Sequence, residues 1–332
     1  MSPVLVDGFG RQIRYLRLSV TDRCDFRCVY CMEEDTEFVP RSEVLSLEEM
    51  RLLAQVFVDL GVRKIRLTGG EPLVRSQVTE LCRMLSGIDA LDELVMTTNG
   101  SQLARLAPQL QKAGLQRLNI SLDTLRPERF RSMTRTGSLA QVLSGIESAS
   151  KQGFDRIKLN AVIMRNRNED ELFDLVDFAR ARGFDISFIE EMPLGEIREH
   201  RRDESFISSS ELRARLAHRF TLLPVTAKHN DGPSRYFAIE GGESRVGFIS
   251  PHSNNFCGDC NRVRVTAEGR LLLCLGNEDS LDLRAILRSG HADVSGELRR
   301  RIVEAMQLKP ERHHFSNAGE PQILRFMNAT GG

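Results

Sequence analysis

A chain of 332 residues can bury a large core, and its 46 basic residues balance 46 acidic ones for a formal net charge of zero. A balanced chain is not steered by charge toward nucleic acid, although a local basic pocket for a phosphorylated small molecule remains compatible with it. The N-terminal MSPVLVDGFGRQIRY has no apolar core or cleavage signal, and no stretch approaches the roughly 18 apolar residues of a membrane span, so a soluble cytoplasmic protein with neither a membrane nor a nucleic-acid partner is expected.

Along the chain, short β-branched runs alternate with amphipathic stretches in the pattern of parallel β/α units. Strands are expected over 13–20, 64–68, 93–98, 117–122, 156–163 and 185–190, with helices over 47–60, 78–85, 103–113, 139–152 and 169–182. Gly61, Gly87, Gly114, Gly153 and Gly183 follow those helices as C-caps. Past residue 220 the pattern changes to hairpins, RYFAIE-GGE-SRVGFIS and RVRVT-AEG-RLLLCL, then a helix over 295–307 and a polar tail ending Gly331-Gly332. The RRR and KPERHH charges of this last region read as a solvated helix face. The expected fold is therefore α/β: a partial, six-unit β/α TIM-type barrel over 1–222, and a smaller C-terminal α+β region over 223–332.

Parallel strands buried on both faces normally read as continuous apolar runs, yet these alternate. Arg17 and Ser19, Arg66 and Thr68, Thr97, Asn119 and Ser121, and Lys158 and Asn160 all fall opposite their apolar neighbours by the two-residue strand period. A helix-covered parallel sheet has no solvent face, so these side chains are expected to converge on a polar, ligand-holding lumen.

Seven cysteines are too few for a disulfide scaffold, and six of them fall into two triplets. The seventh, Cys82, sits between Leu81 and Leu85 and reads as a buried helix cysteine. Cys24, Cys28 and Cys31, in CDFRCVYC, follow the first strand, at the end where β/α-barrel active sites lie. A closed zinc site needs a fourth ligand that is absent nearby. Three thiolates on a 4Fe-4S cluster instead leave one iron open to chelate a ligand. Cys257, Cys260 and, after thirteen intervening residues, Cys274 repeat that incompleteness. Alone, this second triplet fits a zinc ribbon completed by His252 as well as it fits a cluster; the first triplet favours the cluster. Arg262 and Arg264 share one strand face beside it, and their planar forks suit phosphate oxygens, so a nucleotide is expected there. Whether Cys274 shares that face depends on the hairpin register. LTGGEPL closes the second strand, its glycines allowing backbone to approach a ligand and Glu71 being able to accept from an amino group.

With these motifs in place, the sequence resembles the radical S-adenosylmethionine superfamily and, within it, the GTP 3',8-cyclase family of molybdenum cofactor biosynthesis. The resemblance runs through LRLSVTDRCDFRCVYCM, KIRLTGGEPL, MTTNG, LNISLDTL, IEEMPLG, FCGDCNRVRVTAEGRLLLCL and the terminal Gly-Gly. Relatives often carry a tryptophan after IEEMPLG, and this chain has none. The resemblance implies a first 4Fe-4S cluster on Cys24, Cys28 and Cys31 that chelates S-adenosylmethionine, with Tyr30, Gly70, Ser121 and Met192 lining the cofactor pocket. It implies a second 4Fe-4S cluster on Cys257, Cys260 and Cys274 that meets the guanine of GTP. Arg17, Arg66, Thr97, Lys158, Arg262, Val263 and Arg264 match GTP-binding positions, and Arg17, Arg262 and Arg264 would also act in catalysis. The implied reaction removes the hydrogen on carbon 3' of the ribose and closes the sugar onto carbon 8 of guanine. An electron donor for the first cluster and a downstream cyclic pyranopterin monophosphate synthase would be its partners, and the chain would act as a monomer or homodimer with its Gly-Gly tail reaching the active site.

Two other readings fit part of the pattern. A radical enzyme modifying a peptide would use the second cluster as an auxiliary centre but would need a peptide groove rather than inward cations. A zinc-dependent structural or nucleic-acid-binding module would use the triplets as fingers.

Overall fold

The computed structural model describes residues 4–198, 200–226, 232–313, 315 and 323–331. β1 (Tyr15–Ser19) leads through a long loop to α1 (Leu47–Asp59). A capping box starts that helix: the Ser46 hydroxyl accepts from the Glu49 N–H and the Glu49 carboxylate accepts from the Ser46 N–H. β2 (Lys64–Thr68), α2 (Val78–Ser86), β3 (Glu93–Thr98), α3 (Leu103–Lys112), β4 (Arg117–Ser121), α4 (Pro127–Thr134), α5 (Leu139–Ser150), β5 (Arg156–Val162), α6 (Leu172–Arg180) and β6 (Asp185–Ile189) continue the alternation. The second half contains α7 (Arg202–Ser205), α8 (Ser209–Ala217), β7 (Leu222–Pro224), β8 (Arg235–Ile239), β9 (Arg245–Ile249), β10 (Arg262–Val265), β11 (Arg270–Leu272), β12 (Ser280–Asp282), α9 (Leu283–Leu287), α10 (Val294–Met306) and α11 (Met327–Thr330). Of the five glycines expected as C-caps, Gly87 does not take a left-handed turn; its φ is −83°.

One mixed, twelve-stranded sheet joins these strands in the order β12-β11-β10-β1-β2-β3-β4-β5-β6-β9-β8-β7. The six expected strands pair in parallel and in sequence order. Each C-terminal hairpin then lends one strand to an edge of that set. β10 runs parallel to β1 and β9 parallel to β6, with β11 and β8 antiparallel outside them. The backbone groups that β1 and β6 would leave unpaired are thereby satisfied.

One face of the parallel strands is apolar. Leu16, Leu18, Ile65, Leu67, Leu118, Ile120 and Leu159 join Met50, Leu53, Phe57, Leu81, Leu103, Leu106, Val142 and Leu175 of the helices in a continuous core. Each such side chain contributes about 1.5–3 kcal/mol by leaving water. Cys82 belongs to that core and is fully buried, as expected. Among the described residues no helix is long and apolar enough to cross a membrane.

Candidate active site

The opposite face of the strands is the polar one, and pairing fixes its levels. Arg17 lies beside Arg66 on β2 and Arg264 on β10; Thr97 lies beside Asn119, which lies beside Lys158; Ser121 lies beside Asn160. Arg17, Arg66, Thr97, Asn119, Lys158 and Asn160 line one cavity. Thr68, Ser121 and again Thr97 and Asn160 line a second. The two cavities meet at Thr97, Asn160, Ile189 and Met192.

The cysteine triplets close the two ends. Cys24, Cys28 and Cys31 follow β1 and so lie at the C-terminal ends of the parallel strands. Cys257 and Cys260 precede β10, which is parallel to β1, and Cys274 follows the antiparallel β11, which puts all three at the N-terminal ends. Leu272 pairs with Arg264, so continuing the ladder brings Cys274 opposite Arg262 on the cavity face.

At the first end, Cys24, Cys28 and Cys31 share their cavity with Tyr30, Gly70, Ser121 and Met192. Burial pushes all three thiols up, Cys31 to about 12. N–H groups nonetheless point at sulfur, from Phe26 to Cys24 at 3.4 Å and from the Asn99 side chain to Cys24 at 3.8 Å. Such donors suit a ligated thiolate better than a thiol. Among the described residues, no three His, Cys, Asp or Glu side chains close on a single metal ion. Zinc needs its ligands about 2.0–2.3 Å from one point, whereas a 4Fe-4S cluster takes each thiolate on a different iron. The donor set of each triplet fits the cluster. His252 does not line the cavity that holds the second triplet, and no His joins those cysteines in a metal-binding group among the described residues; its Nε2 is hydrogen-bonded to the Glu191 carbonyl at 3.0 Å and its ring packs on Phe206 and Phe315.

The GGEP turn lines the cavity with Gly69 and Gly70 but differs from expectation at Glu71. A Cβ on Gly69, whose φ is +141°, would lie 2.1 Å from the Thr21 carbonyl oxygen, and one on Gly70 2.5 Å from the Asp22 and Arg23 carbonyl oxygens. The glycines thus let this turn press on the cysteine loop, bound by Gly70 N–H to Thr21 and Glu71 N–H to Arg23. Glu71 is fully buried and already accepts from Leu73 N–H, the Thr98 hydroxyl and Asn99 N–H. Its oxygens are committed to protein donors, so the expected acceptor for a ligand amine is a structural anchor.

At the second end, Cys257, Cys260 and Cys274 share a cavity with Arg17, Arg66, Thr97, Lys158, Arg262, Val263 and Arg264. Val263 pairs with Leu16 and packs in the apolar core, so only its main chain can meet a ligand. Crowding of like charge is the dominant electrostatic feature. Burial and then Arg17 and Arg262 hold Arg264 well below the usual guanidinium value. Burial, with Arg66 and Arg262, brings Arg17 to about 10, although Tyr15 works the other way. Burial likewise lowers Lys158. Burial pushes the Cys260 thiol up, but Arg262 and Lys309 outweigh it and bring it to about 7. Cations assembled this way favour a polyanion between them.

The chain's end enters the same chamber. Arg264 donates to the Gly331 carbonyl at 2.5 Å, Asn328 donates to the Asp22 carbonyl at 3.0 Å, and Met327 N–H bonds to the Cys31 carbonyl. A Cβ on Gly331, with φ +76°, would strike Thr68 at 2.3 Å. Gly332 lies outside the described residues. In the tryptophan-free loop, Phe326 lies against Gly195, Leu194 bridges to Ile323, and Arg202 donates to the Leu194 and Gly195 carbonyls.

Several lining residues were not anticipated. Tyr15 and Lys64 line the cation-rich cavity two residues before Arg17 and Arg66, where strand periodicity would have found them. Burial pushes the Tyr15 phenol up, but Arg66, Arg17 and Lys64 outweigh it and bring it to about 6. Arg117 and Tyr236 also line it. Lys309 and His313, expected on a solvated face, are buried in its wall, with the Lys309 ammonium donating to the Leu273 carbonyl. Arg300 and Arg301 do stay exposed, in ion pairs with Glu297 and Glu304.

Two family models match the chain: the radical SAM superfamily over residues 18–179 and Molybdenum Cofactor Synthesis C over residues 184–315. A GTP 3',8-cyclase of Pseudomonas entomophila is 62% identical, covering 99% of this chain and 98% of that protein. One of Pseudomonas putida strain W619 is 60% identical over 100% and 99%, and one of Marinobacter nauticus 60% identical over 99% and 98%. Among solved structures, Streptococcus suis SuiB bound to S-adenosylmethionine superposes with a TM-score of 0.63 at 14% identity, covering 96% of this chain and 78% of that one. That likeness concerns the fold. The full-length identity carries further, and on it the chain belongs to the GTP 3',8-cyclase family of the radical S-adenosylmethionine superfamily.

Proposed function

We propose that the protein is a GTP 3',8-cyclase, a lyase that converts GTP to (8S)-3',8-cyclo-7,8-dihydro-GTP in molybdenum cofactor biosynthesis. One observation carries the reading: two incomplete cysteine triplets close opposite ends of a chamber whose wall between them is crowded with cations. A polyanionic nucleotide suspended there would face a different centre at each end.

In this reading Cys24, Cys28 and Cys31 hold the first 4Fe-4S cluster, and Tyr30, Gly70, Ser121 and Met192 hold S-adenosylmethionine against it. Cys257, Cys260 and Cys274 hold a second 4Fe-4S cluster, beside which the guanine docks. Arg17, Arg66, Thr97, Lys158, Arg262, the Val263 main chain and Arg264 bind the nucleotide, with Arg17, Arg262 and Arg264 stabilising charge as the reaction proceeds. When bound, the first cluster and S-adenosylmethionine supply the one-electron chemistry that removes a hydrogen atom from carbon 3' of the ribose. Carbon 3' then bonds to carbon 8 of guanine, and one further electron and a proton complete the dihydro product. The protein contributes position: the seam at Thr97, Asn160, Ile189 and Met192, where the two cavities meet, is where ribose and cofactor would face each other.

Residues 1–222 would act as an open, partial β/α barrel carrying the first cluster, and 223–332 as the region carrying the second, with Arg262 and Arg264 adding to the substrate-binding cations Arg17, Arg66 and Lys158 of the barrel. An external reductant and a downstream cyclic pyranopterin monophosphate synthase would be the partners of a cytoplasmic monomer or homodimer. The inward cations favour this reading over a peptide-modifying one, which has no use for them.

The test is anaerobic incubation of cluster-loaded protein with S-adenosylmethionine, dithionite and GTP deuterated at carbon 3'. Deuterium should appear in 5'-deoxyadenosine, together with a chromatographically distinct nucleotide isomer. Unlabelled deoxyadenosine beside intact GTP would refute the assignment.

A further inference from the structure

A pocket for a polyanion must hold its cations in place before the ligand arrives, and one side chain of this chamber lies where it can do so. Tyr15 opens β1, two residues before Arg17 and on the same face, with Lys64 and Arg262 as its neighbours on the flanking strands. The side chain is buried. Its phenol oxygen accepts from Arg66 Nε, and the Arg17 guanidinium interacts with the same group. The Lys64 ammonium lies 5.4 Å and the Arg66 guanidinium carbon 5.9 Å from the ring centroid, within cation–π range. Arg66 is fixed further by Nη1, which donates to the Thr97 hydroxyl at 3.0 Å and reaches the Met96 carbonyl at 3.4 Å.

We propose that Tyr15 is the positioning residue for the phosphate-binding cations of the chamber: its oxygen holds Arg66 through Nε and draws in Arg17, so that both guanidiniums stay aimed at the substrate's phosphates. The proposal rests on the nucleotide reading above. Two guanidiniums side by side repel, and an acceptor between them lowers the cost of keeping both aimed inward. Donors set in advance then bind phosphate without reorganising. Tyr15 touches no reacting atom in this account; it acts through Arg66 and Arg17, so its effect depends on phosphate. The carboxylate of Glu93 on β3 is taken by Lys64 and Arg117, which leaves the phenol to serve its own pair.

The experiment measures equilibrium binding of GTP and of guanosine to the fully cluster-loaded protein, without reductant, for wild type, Tyr15→Phe and Tyr15→Gln. Phenylalanine keeps the ring and removes the acceptor, so GTP should bind about tenfold or more weaker while guanosine changes by less than about twofold. Glutamine removes the ring and keeps an acceptor, so it should retain more of the preference for GTP than phenylalanine does. Equal weakening of both ligands, no weakening of either, or the reverse order of the two variants overturns the proposal. Failure of wild type to bind GTP would instead overturn the nucleotide reading, and this inference with it.

Discussion

Arg262 and Arg264 stand side by side on β10 in different circumstances. Arg264 is engaged through Nη1, which donates to the Gly331 carbonyl, and is crowded by Arg17 and Arg262. Arg262 lies 5.0 Å over the Phe256 ring, and its buried Nε has no hydrogen-bond partner among the described residues. An unsatisfied buried donor costs about 1–3 kcal/mol, a cost that a phosphate oxygen would remove. Arg262→Ala should therefore leave thermal stability within about 0.5 kcal/mol of wild type, yet weaken GTP binding by on the order of 2 kcal/mol. Arg264→Ala should weaken it as much and also loosen the C-terminal segment, seen as faster amide exchange at residues 327–331. Iron content is measured first, so that cluster loss is not mistaken for lost substrate contact. Wild-type affinity in both loaded variants would remove the nucleotide from this site. At this scale the sequence was informative wherever chemistry or period was local. The triplet spacings marked every cysteine that lines the chamber, and strand alternation marked Arg17, Arg66 and Lys158. Lys309 and His313 were misjudged because a run of charges carries no sign of which member a distant strand will cover.

Between residue and fold, the GGEP turn shows how one element supports another. Gly69 and Gly70 bring the turn after β2 within hydrogen-bonding distance of Thr21 and Arg23, immediately before Cys24. A Cβ at Gly70 would overlap two carbonyl oxygens, so Gly70→Ala must displace the cysteine loop at a cost of about 1–3 kcal/mol. The expected result is a protein that loads about four irons fewer per chain, the complement of one cluster, while the second triplet stays filled. Iron and sulfide analysis of reconstituted protein checks this; full loading with unchanged thermal stability would show that the close contact is dispensable. Most elements were legible from apolar period and β-branched runs. α4 was not, because it is short, starts at Pro127 and buries only Phe130, Met133 and Thr134, too few positions to display a helical period. Nor was the docking of the two hairpins legible. A turn sequence sets the pairing within a hairpin, but the choice of β1 and β6 as outside partners depends on edges that exist only in the folded sheet.

Across the whole molecule, the arrangement that matters is the separation of the two triplets by the length of the parallel strands. If each end does one task, damage to one end should be separable from damage to the other. Cys28→Ser removes a ligand from the end that shares its cavity with Tyr30, Gly70, Ser121 and Met192, so reductive cleavage of S-adenosylmethionine should be lost. GTP binding should survive, because the cations lie in the other cavity. Cys260→Ser should do the opposite, keeping measurable formation of 5'-deoxyadenosine while abolishing cyclisation and weakening GTP binding. The separation cannot be complete, since the cavities share Thr97, Asn160, Ile189 and Met192, and a nucleotide seated at one end bounds the space at the other. In Cys260→Ser, cofactor cleavage should accordingly lose its dependence on GTP, running at the same rate with and without nucleotide. Deoxyadenosine formation followed with and without GTP, alongside nucleotide affinity, reads out both ends in each variant. Loss of cleavage in Cys260→Ser with its first cluster intact, or normal cleavage in Cys28→Ser, would mean that the two ends do not divide the work in this way.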